Sequence, residues 1–309
     1  MTGPDSDGVP TVPLAPDIPA AVALDGEVKL LPSVDGELVA LHDLGGDGPG
    51  PPLLLSHGNG LNVGMWAAAL PLLRERFRCF GLDLRGHGRS RPSGPGYSVA
   101  RADLAGDVAT AVAAIGEPVR FAGHSLGAAS AVLAAVEDID RFTGLWLFEP
   151  VIAPIDLDLG DGPIQLIEIS RRRRMDFDSV EDAIERFSSK PPYAGCHPAA
   201  VRGYVEIGTV PTATGVRLSC SGEDEARGFE EREQYDLSRF AVIDRPTVVA
   251  AGGRADEPNT IPRLLADHVV GAIPGARLEL FAGMTHFGPM EQPEVAARSV
   301  IELFGTIGS

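Results

Sequence analysis

The chain has 309 residues, 44% of them hydrophobic, which is enough to bury a sizeable core. Its formal net charge of −17, from 43 acidic and 26 basic residues, argues against a nucleic-acid backbone or an anionic membrane surface as partner. No apolar run reaches the roughly 18 residues of a membrane helix, so no membrane span is expected. Cys79, Cys196 and Cys220 form no C-x-x-C pair, and the odd count and wide spacing point to reduced thiols and a cytoplasmic setting. Cys196-His197 is adjacent, but no second ligand pair accompanies it, so no metal site is expected.

Residues 1–23 are rich in Pro, Asp and Gly and lack the basic and apolar regions of a signal peptide, so they read as a loose tail. Residues 37–42 alternate and predict a strand, and the Gly/Pro-rich 45–50 a loop. That loop lacks the G-K-[ST] and the following helix of a phosphate cradle. Leu53-Leu54-Leu55 reads as a buried strand ending in His57-Gly58-Asn59-Gly60. Gly58, Gly60 and Gly64 also resemble a dinucleotide loop, a weak signal that the rest of the chain does not support. Residues 64–77 predict a helix with Trp66, Leu70 and Leu73 on one face. A strand at 78–82 then runs into Asp83-Leu84-Arg85-Gly86-His87-Gly88, read as a charged turn bracing the sheet rather than a source of catalytic groups. The spacing of Ala100, Leu104, Val108, Ala111, Val112 and Ile115 predicts a helix over 97–115.

Next come a short apolar run at 119–122, Gly123-His124-Ser125-Leu126-Gly127, and the helix-forming Ala128-Ala129-Ser130-Ala131-Val132-Leu133. Strand, G-x-S-x-G, helix is the context of a nucleophile elbow. A strand at 145–148 ends at Glu149. Over 151–240 the buried-strand pattern stops and helical patterns appear at 164–175, 180–187 and 198–208. This predicts a mostly helical insertion over the carboxyl edge of the sheet. Within it, Arg171-Arg172-Arg173-Arg174 reads as a solvated face paired with Asp176, Asp178 and Glu181, or as a holder of an anionic substrate group. The sheet resumes at 246–251, before Asp256. A helix at 261–273, a strand at 277–281, Met284-Thr285-His286 and a helix at 291–304 close the chain.

Strands alternating with helices predict a mostly parallel, doubly wound α/β sheet, with ligands beyond the strand carboxyl ends. His57-Gly58-Asn59, Ser125, Asp256 and His286 all fall at such ends. A serine needs a base to act as nucleophile, and a histidine needs a carboxylate to fix its tautomer. The chain order Ser, Asp, His suits the elbow fold.

On these motifs the chain resembles the α/β-hydrolase superfamily of serine hydrolases with a helical cap domain. The resemblance covers roughly residues 25–150 and 241–309 and implies an α/β-hydrolase fold. The organisation it implies is a tail over 1–23, a core over 24–150 and 241–309, and a cap over 151–240. It further implies Ser125 as nucleophile, His286 as base and Asp256 as the orienting acid, with Glu149 and Glu257 as alternatives for the acid. The backbone N–H groups of Asn59 and Leu126 match the oxyanion donors. A serine at the elbow argues against the epoxide hydrolase and haloalkane dehalogenase branches. The expectation is therefore an enzyme without cofactor or metal, cleaving a small carboxylic ester, thioester or lactone. A carbon–carbon bond hydrolase, a cofactor-free lyase and a non-catalytic binding protein are the alternatives on the same fold.

Overall fold

The structure, a computed structural model, describes residues 24, 26–91, 94, 96–160, 163–253 and 260–305. The expected tail over 1–23 lies outside the described residues. Strand β1 (Val28–Pro32) pairs antiparallel with β2 (Leu38–Gly45) and stands at the sheet edge. Its side chains are mostly exposed and it ends on a proline, so it carries none of the apolar run by which the buried strands are recognised. Strand β3 (Leu53–Ser56) is buried along its whole length.

The helix expected over 64–77 is broken in two. A 3₁₀ turn (Val63–Trp66) is followed by helix α1 (Leu70–Arg74), with Pro71 in its first turn. Proline has no N–H to donate and its ring crowds the carbonyl four residues earlier, so the chain restarts there. Trp66, Leu70 and Leu73 are nevertheless all buried. Strand β4 (Cys79–Asp83), helix α2 (Arg101–Ile115), strand β5 (Val119–His124), helix α3 (Leu126–Glu137) and strand β6 (Phe142–Phe148) follow.

Between β6 and the next strand of the large sheet, the described residues build a separate layer. It holds β7 (Ala153–Pro154), α4 (Ile164–Arg171), β8 (Asp176–Phe177), α5 (Val180–Ser188), α6 (Pro198–Ile207), β9 (Thr209–Thr212), β10 (Gly215–Leu218), α7 (Gly222–Glu230) and β11 (Gln234–Tyr235). The order β8-β10-β9 forms a small antiparallel sheet, and β7 pairs with β11. Helix α4 stops at Arg171 rather than running to 175, and Asp176 and Phe177 pair instead with Arg217 and Val216. The layer is tied to the core where Asn62 Nδ2 donates to Tyr204 O at 2.9 Å.

Strand β12 (Thr247–Gly252), helix α8 (Ile261–Ala272), strand β13 (Arg277–Phe281) and helices α9 (Gly288–Glu291) and α10 (Pro293–Gly305) complete the chain. The large sheet has eight strands in the order β1-β2-β4-β3-β5-β6-β12-β13, antiparallel only at the β1 and β2 pairings. Two apolar clusters fill its faces. One contains Trp66 and Trp146 with ring centroids 6.2 Å apart, and the other joins Val108 and Val132 to Phe121 and Leu145. Every parallel strand therefore ends at the same rim, where β5, β6 and β12 lie side by side.

Candidate active site

The turn after β5 sets the geometry. Ser125 has φ 52° and ψ −110°, a conformation an L-residue adopts only when its surroundings enforce it. The glycines on either side make the turn possible. A Cβ on Gly123 would stand 2.8 Å from Ala128 N, and one on Gly127 would stand 2.7 Å from His57 O. Ser125 N donates to Phe148 O at 2.8 Å, and Gly127 N donates to His57 O at 2.8 Å. The serine is thus fastened to β6 on one side, and the His57-Gly58-Asn59 loop is drawn in on the other. Leu126 opens α3, so its N–H belongs to the first turn, which has no intrahelical acceptor and carries the positive end of the helix dipole.

His286 stands in the loop after β13, with its Nε2 3.0 Å from Ser125 Oγ. Its Nδ1 lies 2.5 Å from Glu149 Oε2. Glu149 directly follows β6 at φ 46° and is 1% exposed. Its other oxygen, Oε1, accepts from Gly252 N at 2.9 Å, and its own N–H donates to Ala250 O at 2.9 Å. Both carboxylate oxygens are therefore engaged and the group is aimed at the imidazole. A carboxylate accepts only, so Nδ1 carries the proton and Nε2 is left to accept from the serine hydroxyl. The histidine is held from behind as well. His124 Nε2 donates to His286 O at 2.7 Å, and Glu291 accepts from Thr285 N at 2.7 Å and Thr285 Oγ1 at 2.8 Å.

Ser125, His286 and Glu149 are thus one connected group. Asp256 and Glu257, the other two carboxylates considered from sequence, lie outside the described residues. The signal for Glu149 is its position directly after the strand that follows the elbow helix.

The loop holding Asn59 is braced from below. Gly60 N donates to His87 Nε2 at 3.0 Å, and Leu84 N donates to His57 Nε2 at 3.1 Å. His87 Nδ1 in turn donates to Arg85 O at 2.9 Å. Both imidazoles are accepting at Nε2 and are neutral. Burial pulls both below the ordinary value, His57 to about 4. Asp83 anchors the same turn by accepting from Val63 N, Arg89 N and His42 Nε2, each at 2.8 Å. Its own burial acts to raise its pKa, but His42 and these donors prevail and hold it at about 2. The turn at 83–90 is a brace, and what it braces is the Asn59 loop.

A cavity of about 1180 Å³ opens above Ser125 and His286, and Asn59 and Leu126 also line it. Its far walls come from the layer inserted between β6 and β12, including Leu166, Ile169 and Phe187. Ile155, Leu166 and Ile169 of this wall are exposed, so much of the outer wall is apolar. The arginine run does not behave as one face. Arg171 pairs with Glu223 at 2.9 Å and Glu230 at 2.6 Å, and Arg174 with Asp182 at 2.8 Å. Arg173 turns inward, where it pairs with Glu225 and donates to Tyr204 Oη at 2.8 Å. Asn59 Nδ2 donates to Glu225 O at 2.8 Å, so this inward pair also touches the loop beside the serine.

Among the described residues no His, Cys, Asp and Glu group is arranged to hold a metal, and no helix is long and apolar enough to cross a membrane.

The sequence pattern of the Alpha/beta hydrolase family matches residues 53–299. Haloalkane dehalogenase 2 of Mycobacterium tuberculosis is 27% identical over 289 residues, spanning 84% of this chain and 90% of that protein. The pimeloyl-[acyl-carrier protein] methyl ester esterase of Methylococcus capsulatus is 41% identical over 88 residues, 28% of this chain and 32% of that protein. Among solved structures, a thioesterase domain from the curacin biosynthetic pathway superposes with a TM-score of 0.71 at 19% identity. The match covers 89% of this chain and 99% of that domain.

Proposed function

The chain belongs to the alpha/beta hydrolase family, and from that premise we propose that it cleaves a small carboxylic ester, thioester or lactone through an acyl-enzyme on Ser125. The observation that carries this reading is the unbroken relay from Ser125 Oγ through His286 to Glu149. His286 Nε2 takes the hydroxyl proton as Oγ attacks the carbonyl carbon. Glu149 holds the Nδ1–H tautomer and steadies the imidazolium. The backbone N–H groups of Asn59 and Leu126 receive the oxyanion at the dipole end of α3. The imidazolium then protonates the leaving alcohol or thiol, and a water activated by His286 releases the acid. In this reading Glu149, and not Asp256, is the orienting acid, and residues 151–240 act as the cap that shields the acyl-enzyme.

The likeness to a haloalkane dehalogenase does not carry over to the chemistry. Displacement of a halide by Ser125 would leave an alkyl ether, which has no carbonyl for water to attack. An acyl group on the same oxygen is readily hydrolysed. The three cysteines are free and buried, with burial raising the thiols of Cys79 and Cys196 to about 12, which suits unreactive groups in a reducing, cytoplasmic setting.

The test is a fluorophosphonate probe together with a panel of p-nitrophenyl esters, thioesters and lactones. The probe should label Ser125 in the native protein and leave Ser125→Ala unlabelled and inactive. Labelling of a different serine, or full turnover by Ser125→Ala, would refute the proposal.

A further inference from the structure

Arg101 stands apart from the other arginines buried beside the site. It opens α2, is 9% exposed and lines the same cavity as Ser125 and His286. Arg85 and Arg173 each meet a carboxylate, Arg85 through Asp107 at 2.6 Å and Arg173 through Glu225. Among the described residues no carboxylate comes within ion-pair distance of Arg101. Its Nη2 reaches Gly228 O at a long 3.4 Å, and its Nη1 is buried with no partner among the described residues. A guanidinium removed from water without a counter-group is a costly arrangement. Burial lowers its pKa, and the more distant Glu231, Tyr235 and Glu233 act in the opposite direction and favour the charged form.

The place of Arg101 relative to the catalytic groups is fixed through Gly228. That residue's carbonyl takes Nη2, and a Cβ on it would lie 2.4 Å from Asn59 Oδ1, another buried polar atom without a partner. Arg101 therefore flanks the loop that we assign to the oxyanion. The cavity as a whole is not acidic although the chain is. Six of its described lining residues are Arg or Lys against five Asp or Glu, in a chain of net charge −17.

We propose that Arg101 is a substrate-binding residue that takes a free carboxylate, so that the substrate is a monoester of a short dicarboxylic acid or a similarly acid-bearing acyl compound. The inference rests on the serine-hydrolase reading above. A planar carboxylate matches the guanidinium fork and supplies the missing acceptor to Nη1. The apolar part of the cavity then holds the methylene chain between the two carbonyl groups.

The decisive comparison is between monomethyl and dimethyl esters of succinate, glutarate and adipate, which differ only in the free carboxylate. Methanol release should favour one of the monomethyl esters over its own diester at least tenfold in kcat/KM. Arg101→Met should abolish that preference, with the loss appearing in KM for the monomethyl ester. Arg101→Lys, which keeps the charge and the fold but loses the fork, should fall between the two. If neither ester were cleaved, the fluorophosphonate probe and the wider ester, thioester and lactone panel would still decide the serine-hydrolase reading, and calorimetric binding of glutarate would decide the role of Arg101. Wild type should bind glutarate at least tenfold more tightly than either variant. Equal glutarate affinity in all three proteins would overturn the proposal, as would equal use of monoester and diester by wild type. Tighter binding of inorganic phosphate than of glutarate would overturn it too, because the site would then be a phosphate site.

Discussion

At the scale of single residues, the orienting acid is the sharpest question the site poses. Glu149 uses one oxygen on Gly252 N and the other on His286 Nδ1, so its removal frees the imidazole to turn or to take the wrong tautomer. Loss of the corresponding group costs roughly 10⁴ in kcat in serine proteases. Glu149→Gln should show a loss of that order in ester turnover, with KM little changed. Asp256→Asn should stay within about tenfold of wild type. The opposite ranking would return the role to Asp256. From sequence Asp256 stands first, because the chain order Ser, Asp, His suits the elbow fold, and Glu149 is an alternative because it too follows a strand whose end reaches the site. Only the spatial adjacency of β5 and β6 separates them, and a linear chain does not display strand order. Ser125 and His286 are easier to pick out. The G-x-S-x-G string carries its own turn geometry, and the structure leaves the two side chains 3.0 Å apart.

At the scale of elements, the legible parts are those whose apolar run is continuous. Strands β3, β5, β6 and β12 are nearly fully buried and are readable as short hydrophobic stretches. What escapes the sequence is whatever forms through a partner. Strand β1 is an exposed edge, and β8 to β10 become strands only by pairing with one another. Helix α7 did leave a signal, since Ser221 Oγ accepts from Asp224 N at 3.0 Å in a capping turn. The elbow makes a testable claim at this scale. A Cβ on Gly127 would press on His57 O at 2.7 Å and His57 N at 2.8 Å, moving the Asn59 loop away from the serine. Gly127→Ala should cost roughly 1–3 kcal/mol of stability in urea titration, and kcat should fall further than KM rises. Unchanged kcat would mean that the contact between loop and elbow does not position the oxyanion donors.

At the scale of the whole molecule, the brace beneath the Asn59 loop ties fold stability to pH. His57 has a folded pKa of about 4, below its ordinary value of 6.5, so the unfolded chain binds the extra proton. Its contribution is complete above about pH 6.5 and is lost as pH falls towards 4, a span worth about 3 kcal/mol. His87 shifts in the same direction. Asp83, held at about 2 against an ordinary 3.8, contributes above pH 3.8 and weakens only below it. Urea midpoints measured from pH 7 to pH 4.5 should therefore decline steadily once below pH 6.5. A flat profile down to pH 4.5 would show that the two histidines are not held neutral. The way Glu149 is mounted has a longer reach. It sits on the strand beside that of Ser125, and the two are stitched together by Ser125 N to Phe148 O. Acid and nucleophile are thus inherited as one piece of sheet. On the proposed reading both groups come from the rim of β5 and β6, so that rim is the part of the relay closed to change in descendants of this chain.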